Sequence, residues 1–223
     1  MTYIPILIAF IFAILNWIAA DRQIKPLEYV TKPATMLALL WWIGSSVGLG
    51  GSMLWFSLGV VFCLAGDVFL MIPRDMFIFG LVAFLLGHIS YTIGLNNQAP
   101  FINFWGVIFI IVLGVFSGWL YPKLVKGLVA KDKSGLKIPV LVYSLVISLM
   151  VYSACMTWTR PGWPVSAALS VSLGAILFFA SDSMLAWDRF ITPLSHARLK
   201  VMMTYHLGQF GIILGAILFT TLK

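Results

Sequence analysis

The chain has 223 residues, 61% of them hydrophobic and only 9% charged, with a formal net charge of +7. A soluble domain of this size cannot cover that much apolar surface, so the composition excludes one. It implies an all-α polytopic membrane protein, a single helical bundle over residues 1–223 with no stretch left for a soluble domain.

Crossing the hydrocarbon takes about 20 mostly apolar residues, and eight runs of that kind follow in order. The first, 3–20, has no basic leader and no convincing small-residue cleavage site, so it reads as a retained helix rather than a signal peptide; Asn16 lies near its end. After a break at Arg22 to Pro26, the second run, 32–48, opens on Lys32-Pro33. A glycine turn, Gly48 to Ser52, leads to 53–72, which contains Asp67 in FCLAGDVFLM. Pro73-Arg74-Asp75 separates it from 76–95, where His88 and Tyr91 stand three apart on one helical face. Asn96 to Pro100 precedes 101–121, and a basic break ending in Lys131 to Gly135 precedes 136–158, with Tyr143 early in it. Pro161 to Pro164 leads to 164–187, which holds Ser181 and Asp182 in LFFASDSMLAW. Asp188 to His196 leads to 198–221, with Tyr205, His206 and Gln209 in its first half and Gly211 and Gly215 spaced for close helix contact. Cys63 and Cys155 both fall in apolar runs, which argues against a disulfide framework.

Charge placement tests this count. Twelve of the fourteen Lys and Arg residues fall in or beside the breaks after runs one, three, five and seven; Arg160 and Lys223 are the two exceptions. The positive-inside rule then makes those breaks cytoplasmic and puts both termini outside, in a multi-pass protein of a bacterial inner membrane. The +7 charge is thereby explained as a topology signal, and nucleic acid is not an expected partner.

Five of the seven acidic residues occupy polar breaks: Asp21, Glu28, Asp75, Asp132 and Asp188. Asp67 and Asp182 do not. A carboxylate at membrane depth costs at least about 2.5–3.5 kcal/mol on insertion scales, so it marks a cavity, a partner or a substrate. Each acid lies seven residues before a basic residue, Arg74 or Arg189, at the end of an inward-running helix. Both therefore sit about 10 Å from the cytoplasmic edge at 1.5 Å per residue. Asn16, Lys32, Tyr143, Ser181, Tyr205, His206 and Gln209 reach the same layer, with His88 and Tyr91 somewhat deeper, so a pocket open to the cytoplasmic leaflet is expected. Several of these residues have plainer readings as well: a tyrosine as interface anchor, Lys32 as a snorkelling cation, His206 as an interhelical hydrogen bonder, Ser181 as a small contact residue. AGDVFL and ASDSML, 115 residues apart, also hint at a parallel repeat of four plus four helices.

The stretches GDVFLM (66–71), FGLVAFLLGHISY (79–91), LGAILFFASDSMLA (173–186) and YHLGQF (205–210), with Lys32-Pro33, resemble the YhhN/TMEM86 family of lysoplasmalogenases over essentially the whole chain. The resemblance implies an eight-helix membrane hydrolase that cleaves the vinyl ether bond of lysoplasmalogens, releasing a fatty aldehyde and glycerophosphoethanolamine or glycerophosphocholine. It also implies that Asp67 and Asp182 are the catalytic pair and that the substrate is a lysophospholipid taken from the membrane. No cofactor and no metal are implied.

The chemistry suits two carboxylates. Protonating the β-carbon of a vinyl ether gives an oxocarbenium ion, which water captures as a hemiacetal that collapses to aldehyde and alcohol. One carboxyl must hold a proton and the other must be ionised, and burial beside a second carboxylate separates a pair in that way. The preferred assignment is Asp182 as acid and Asp67 as base. Tyr143, Tyr205, His88 and Gln209 would orient water and the leaving oxygen, Lys32 would meet the lipid phosphate at the rim, and the alkenyl chain would lie in the apolar outer part of the bundle. Four other readings compete: a metal-dependent hydrolase using His88, His206 and an Asp; a proton-coupled transporter with the acids as a relay; a hydrolase of another lysolipid; and a purely structural membrane protein, which explains the acids worst.

Overall fold

The computed structural model describes residues 3–74, 76–96 and 103–222. Asp75, the 97–102 portion of the fourth break and of the fifth run, and Lys223 lie outside the described residues. Among the described residues the chain forms eight long helices and no strand: α1 (Ile4–Asp21), α2 (Lys25–Ser46), α3 (Leu54–Met71), α4 (Phe77–Leu95), α5 (Phe104–Ala130), α6 (Lys137–Cys155), α7 (Val165–Phe190) and α8 (Ala197–Thr221). Short 3-10 turns precede α3 and α6 and follow α6. Seven of the eight helices are long and apolar enough to cross a membrane; α2, which carries Lys25, Glu28 and Lys32 in its first half and several Thr, Ser and Trp residues besides, is not among them.

Two helices exceed the apolar runs that announce them. α2 starts at Lys25 rather than Lys32, because Pro26 in its first turn needs no backbone donor and Glu28 faces the positive end of the helix dipole. α5 runs on to Ala130 rather than ending near 121. Its extension keeps an apolar stripe, Leu120, Leu124 and Leu128, which forms a small second core with Val140 and Phe190. Lys123 meanwhile lies 3.8 Å above the Trp119 ring.

α7 and α8 pack in close contact through Gly174 on one and Gly208, Gly211 and Gly215 on the other. A Cβ on Gly174 would stand 2.4 Å from Ile212 N and 2.7 Å from Gly208 O. That contact is the close approach expected of Gly211 and Gly215. α8 is the central helix, with 61% of its spanning window buried, whereas α5 is peripheral, with 11%. Arg160, the basic residue on the sparsely charged side, is buried: its guanidinium donates to Leu95 O and Asn96 Oδ1 and so satisfies the C-terminal end of α4. At the opposite end His196, with φ 52°, precedes α8 and meets Asp21 at 2.7 Å, joining the ends of α1 and α8.

Candidate functional site

Asp67 and Asp182 both line one cleft of about 440 Å³. Its walls come from the start of α2, the end of α3, the start of α4, the end of α7 and the start of α8. These ends all adjoin the basic turns, so the cleft opens at that end of the bundle.

The two carboxylates are held differently. Asp67 is 1% exposed, with Lys32 Nζ 3.0 Å from Oδ1 and the Tyr205 hydroxyl donating to Oδ2 at 2.7 Å. A lysine thus balances its charge. Asp182 is met by neutral-capable groups: the Tyr143 hydroxyl donates to Oδ2, and His88 Nε2 lies 3.2 Å from that oxygen and 2.9 Å from Tyr143 Oη. Its side chain keeps 14% exposure to the cleft. Phe178 separates the two partner sets, with its ring centroid 5.2 Å from that of Tyr205 and 4.7 Å from that of His88. Phe84 closes the same wall, edge-on to Phe178 and Tyr205.

Of the residues singled out by sequence, Lys32, Tyr205 and Ser181 reach the cleft with the two acids, and Tyr143 and His88 reach Asp182 directly. Lys32 does not stand free at the rim: it is 6% exposed and its ammonium is committed to Asp67. Ser181 donates to Val201 O on α8, a helix-to-helix contact. The others pair with neighbours away from the cleft lining. Asn16 donates to Thr31 Oγ1 at 3.1 Å, Trp17 Nε1 donates to His206 Nδ1 at 3.1 Å, and Tyr91 donates to Gln209 Oε1 at 2.6 Å. None of Asn16, His206, Tyr91 and Gln209 lines the cleft.

Sequence reasoning missed the mouth of the cleft. Lys25, Glu28, Asp188, Arg189 and Arg198 line it. They look like ordinary break residues one by one, and only their shared membrane end signals a common location. The missed wall residue Phe84, and Phe178 buried against it, have no signal in a chain this apolar. Among the described residues no group of three or more His, Cys, Asp or Glu side chains gathers closely enough to hold a metal ion.

Residues 27–216 match the YhhN family. The chain is 30% identical to lysoplasmalogenase TMEM86B of Mus musculus over 96% of its length and 85% of that protein's. It is 32% identical to lysoplasmalogenase TMEM86B of Homo sapiens over 91% of its length and 77% of that protein's. It is 29% identical to the lysoplasmalogenase of Mycobacterium tuberculosis (strain CDC 1551 / Oshkosh), over 82% and 67%. No solved structure matches it.

Proposed function

The chain belongs to the YhhN family, and from that premise we propose that it hydrolyses the vinyl ether bond of lysoplasmalogens with Asp67 and Asp182 as an acid–base pair. The observation that carries this reading is the unequal treatment of two carboxylates in one cleft. Lys32 balances Asp67, which serves as the ionised member. Asp182, held through Oδ2 by Tyr143 and His88, carries the proton on Oδ1.

Asp182 Oδ1 delivers that proton to the β-carbon, and the ether oxygen shares the resulting positive charge. Water adds to the α-carbon and gives its proton to Asp67. The hemiacetal then collapses: its hydroxyl proton leaves, the carbon–oxygen bond to glycerol breaks, and the glycerol oxygen is protonated. The sum is vinyl ether plus water to aldehyde plus alcohol, and proton exchange with solvent through the cleft restores the pair. Two carboxylates flanking an oxocarbenium ion follow the logic of glycoside hydrolysis. Mouth cations Lys25 and Arg198 suit the lipid phosphate, and Glu28 and Asp188 suit an ethanolamine or choline ammonium. The cleft faces the cytoplasm in this reading. A four-plus-four repeat also fits the contacts: Asp67 of α3 is met by Tyr205 of α8, and Asp182 of α7 by His88 of α4.

The test is incubation of purified protein with lysoplasmenylethanolamine and, separately, with its ester-linked counterpart. Fatty aldehyde should appear from the first and no fatty acid from the second. Asp67→Asn and Asp182→Asn should each lower kcat by at least about a hundredfold, the usual scale for an acid–base group. The double variant should be little worse than the poorer single, because the pair acts as a unit. Fatty acid from the ester would make the protein a different lysolipid hydrolase. Solute flux in proteoliposomes without lipid turnover would make it a transporter. Near-normal aldehyde release by both folded single variants would end the dyad assignment.

A further inference from the structure

A second, narrower cavity runs between α4, α5, α6 and α7, about 70 Å³ against 440 Å³ for the cleft. We infer that this groove holds the hydrocarbon chain of a single-chain lipid, and that its junction with the cleft at Asp182 fixes which bond is cut and why one chain is accepted and not two. The inference rests on the function proposed above and deepens it.

The groove and the cleft share five lining residues: Leu70, Phe77, Phe84, Asp182 and Leu185. Elsewhere the two differ in kind. Eight charged side chains line the cleft, whereas Asp182 is the one charged side chain among the described residues that line the groove. The rest of the groove is largely Leu, Phe and Ile, such as Leu81, Leu120, Leu124, Ile147 and Phe179. Four of the five hydroxyls that line it are already engaged: Ser144 donates to Val140 O at 2.8 Å, Tyr121 to Lys137 O at 3.1 Å and Tyr143 to Asp182 Oδ2, and Ser117 pairs with Ser148 at 3.4 Å. An alkyl chain there need break none of these four bonds. A zwitterionic headgroup requires the cleft, and a hydrocarbon chain is best placed in the groove. A lipid occupying both has its chain–headgroup junction, the vinyl ether, at the carboxyl that bridges them.

In the outer part of the bundle, where sequence alone would place the chain, Leu39, Ile43, Tyr91 and Met150 are packed with no exposure, and Tyr91 is tied to Gln209. The groove is bounded instead by α5, the least buried of the spanning helices, which puts it one helix away from the lipid phase. Chain number follows from the same geometry. The central glycerol carbon, one carbon beyond the ether-bearing one, falls inside the charged cleft. A hydroxyl there is solvated, but a second acyl chain would lie among charges.

The test uses a non-cleavable saturated alkyl ether lysophosphoethanolamine with a diazirine at its chain end. Irradiated with wild-type protein in detergent, it should label peptides of α5, α6 and α7 that line the groove, and unlabelled lysolipid should suppress the labelling. Label on α1, α2 or α8, or label that unlabelled lysolipid fails to suppress, overturns the inference. Ser144→Phe gives a second readout by narrowing the groove. The ratio of kcat/KM for a hexadecenyl substrate to that for an octenyl substrate should fall at least about tenfold, and equal losses on both would overturn it. Labelling requires no turnover. Groove labelling without aldehyde release would keep the chain site and end the vinyl ether reading; aldehyde release with label elsewhere would do the reverse.

Discussion

Both oxygens of Asp67 are engaged, one by Lys32 at 3.0 Å and one by the Tyr205 hydroxyl at 2.7 Å, with almost no exposure to solvent. Removing one partner of such a pair strands the other charge. Lys32→Met should therefore cost about 3–5 kcal/mol of stability, and adding Asp67→Asn to it should restore most of that, because no charge is then left alone. Thermal or denaturant unfolding in detergent measures both. The kinetic signature differs too. A lysine that only met the lipid phosphate would change KM and leave kcat intact; with Asp67 as base, kcat should fall. A raised KM with unchanged kcat and unchanged stability would return Lys32 to the rim. The sequence placed both acids, Lys32, Tyr143 and Tyr205 in one layer with His88 somewhat deeper; they form two sets on one cleft, Lys32 and Tyr205 at Asp67 and Tyr143 and His88 at Asp182. It also placed Asn16, Tyr91, His206 and Gln209 with them, and those four pair among other neighbours instead. The reason is physical. Depth along a membrane helix can be counted at 1.5 Å per residue. Direction around the axis cannot, because lipid-facing and core-facing sides are equally apolar and leave no amphipathic stripe to read.

Helix existence and order were readable because each span must be a long apolar run bounded by polar turns. Helix ends were less so. α2 and α5 continue beyond their apolar runs into sequence that carries charges, and only the proline in the first turn of α2 and the Leu120–Leu124–Leu128 stripe of α5 record it. The α7–α8 contact carries its own prediction. A Cβ on Gly174 would meet backbone atoms of α8, which cannot turn aside as a side chain does. Gly174→Ala should thus destabilise the protein by about 1–3 kcal/mol, the usual cost of overpacking. Gly114→Ala on α5, where an added Cβ meets open space, is the matched control and should cost nothing. Equal melting temperatures for the two variants would show that the α7–α8 contact yields easily. A shift in that contact would also reach the site, since Asp182 lies on α7 and Tyr205 on α8.

At the scale of the molecule, the cleft opens where the basic turns gather, with Lys25, Arg189 and Arg198 around its mouth. The positive-inside rule predicts that this end is cytoplasmic. A cysteine introduced at Ser134, in the turn between α5 and α6, should resist a membrane-impermeant maleimide in intact cells, and one added at the N-terminus should react. The native Cys63 and Cys155 are buried and should contribute little background. Reaction at Ser134 in intact cells would place the mouth on the other face of the membrane. The partner arrangement also bears on biogenesis. Lys32 is synthesised before Asp67, and His88 and Tyr143 before Asp182, so each acid emerges from the ribosome after a group that will hold it. An ionised acid entering the bilayer alone would face the full insertion penalty of about 2.5–3.5 kcal/mol or more. Translation from the N-terminus spares Asp67, the ionised member in the proposed pair, that wait, and leaves Tyr205, on the last helix, to complete its partners.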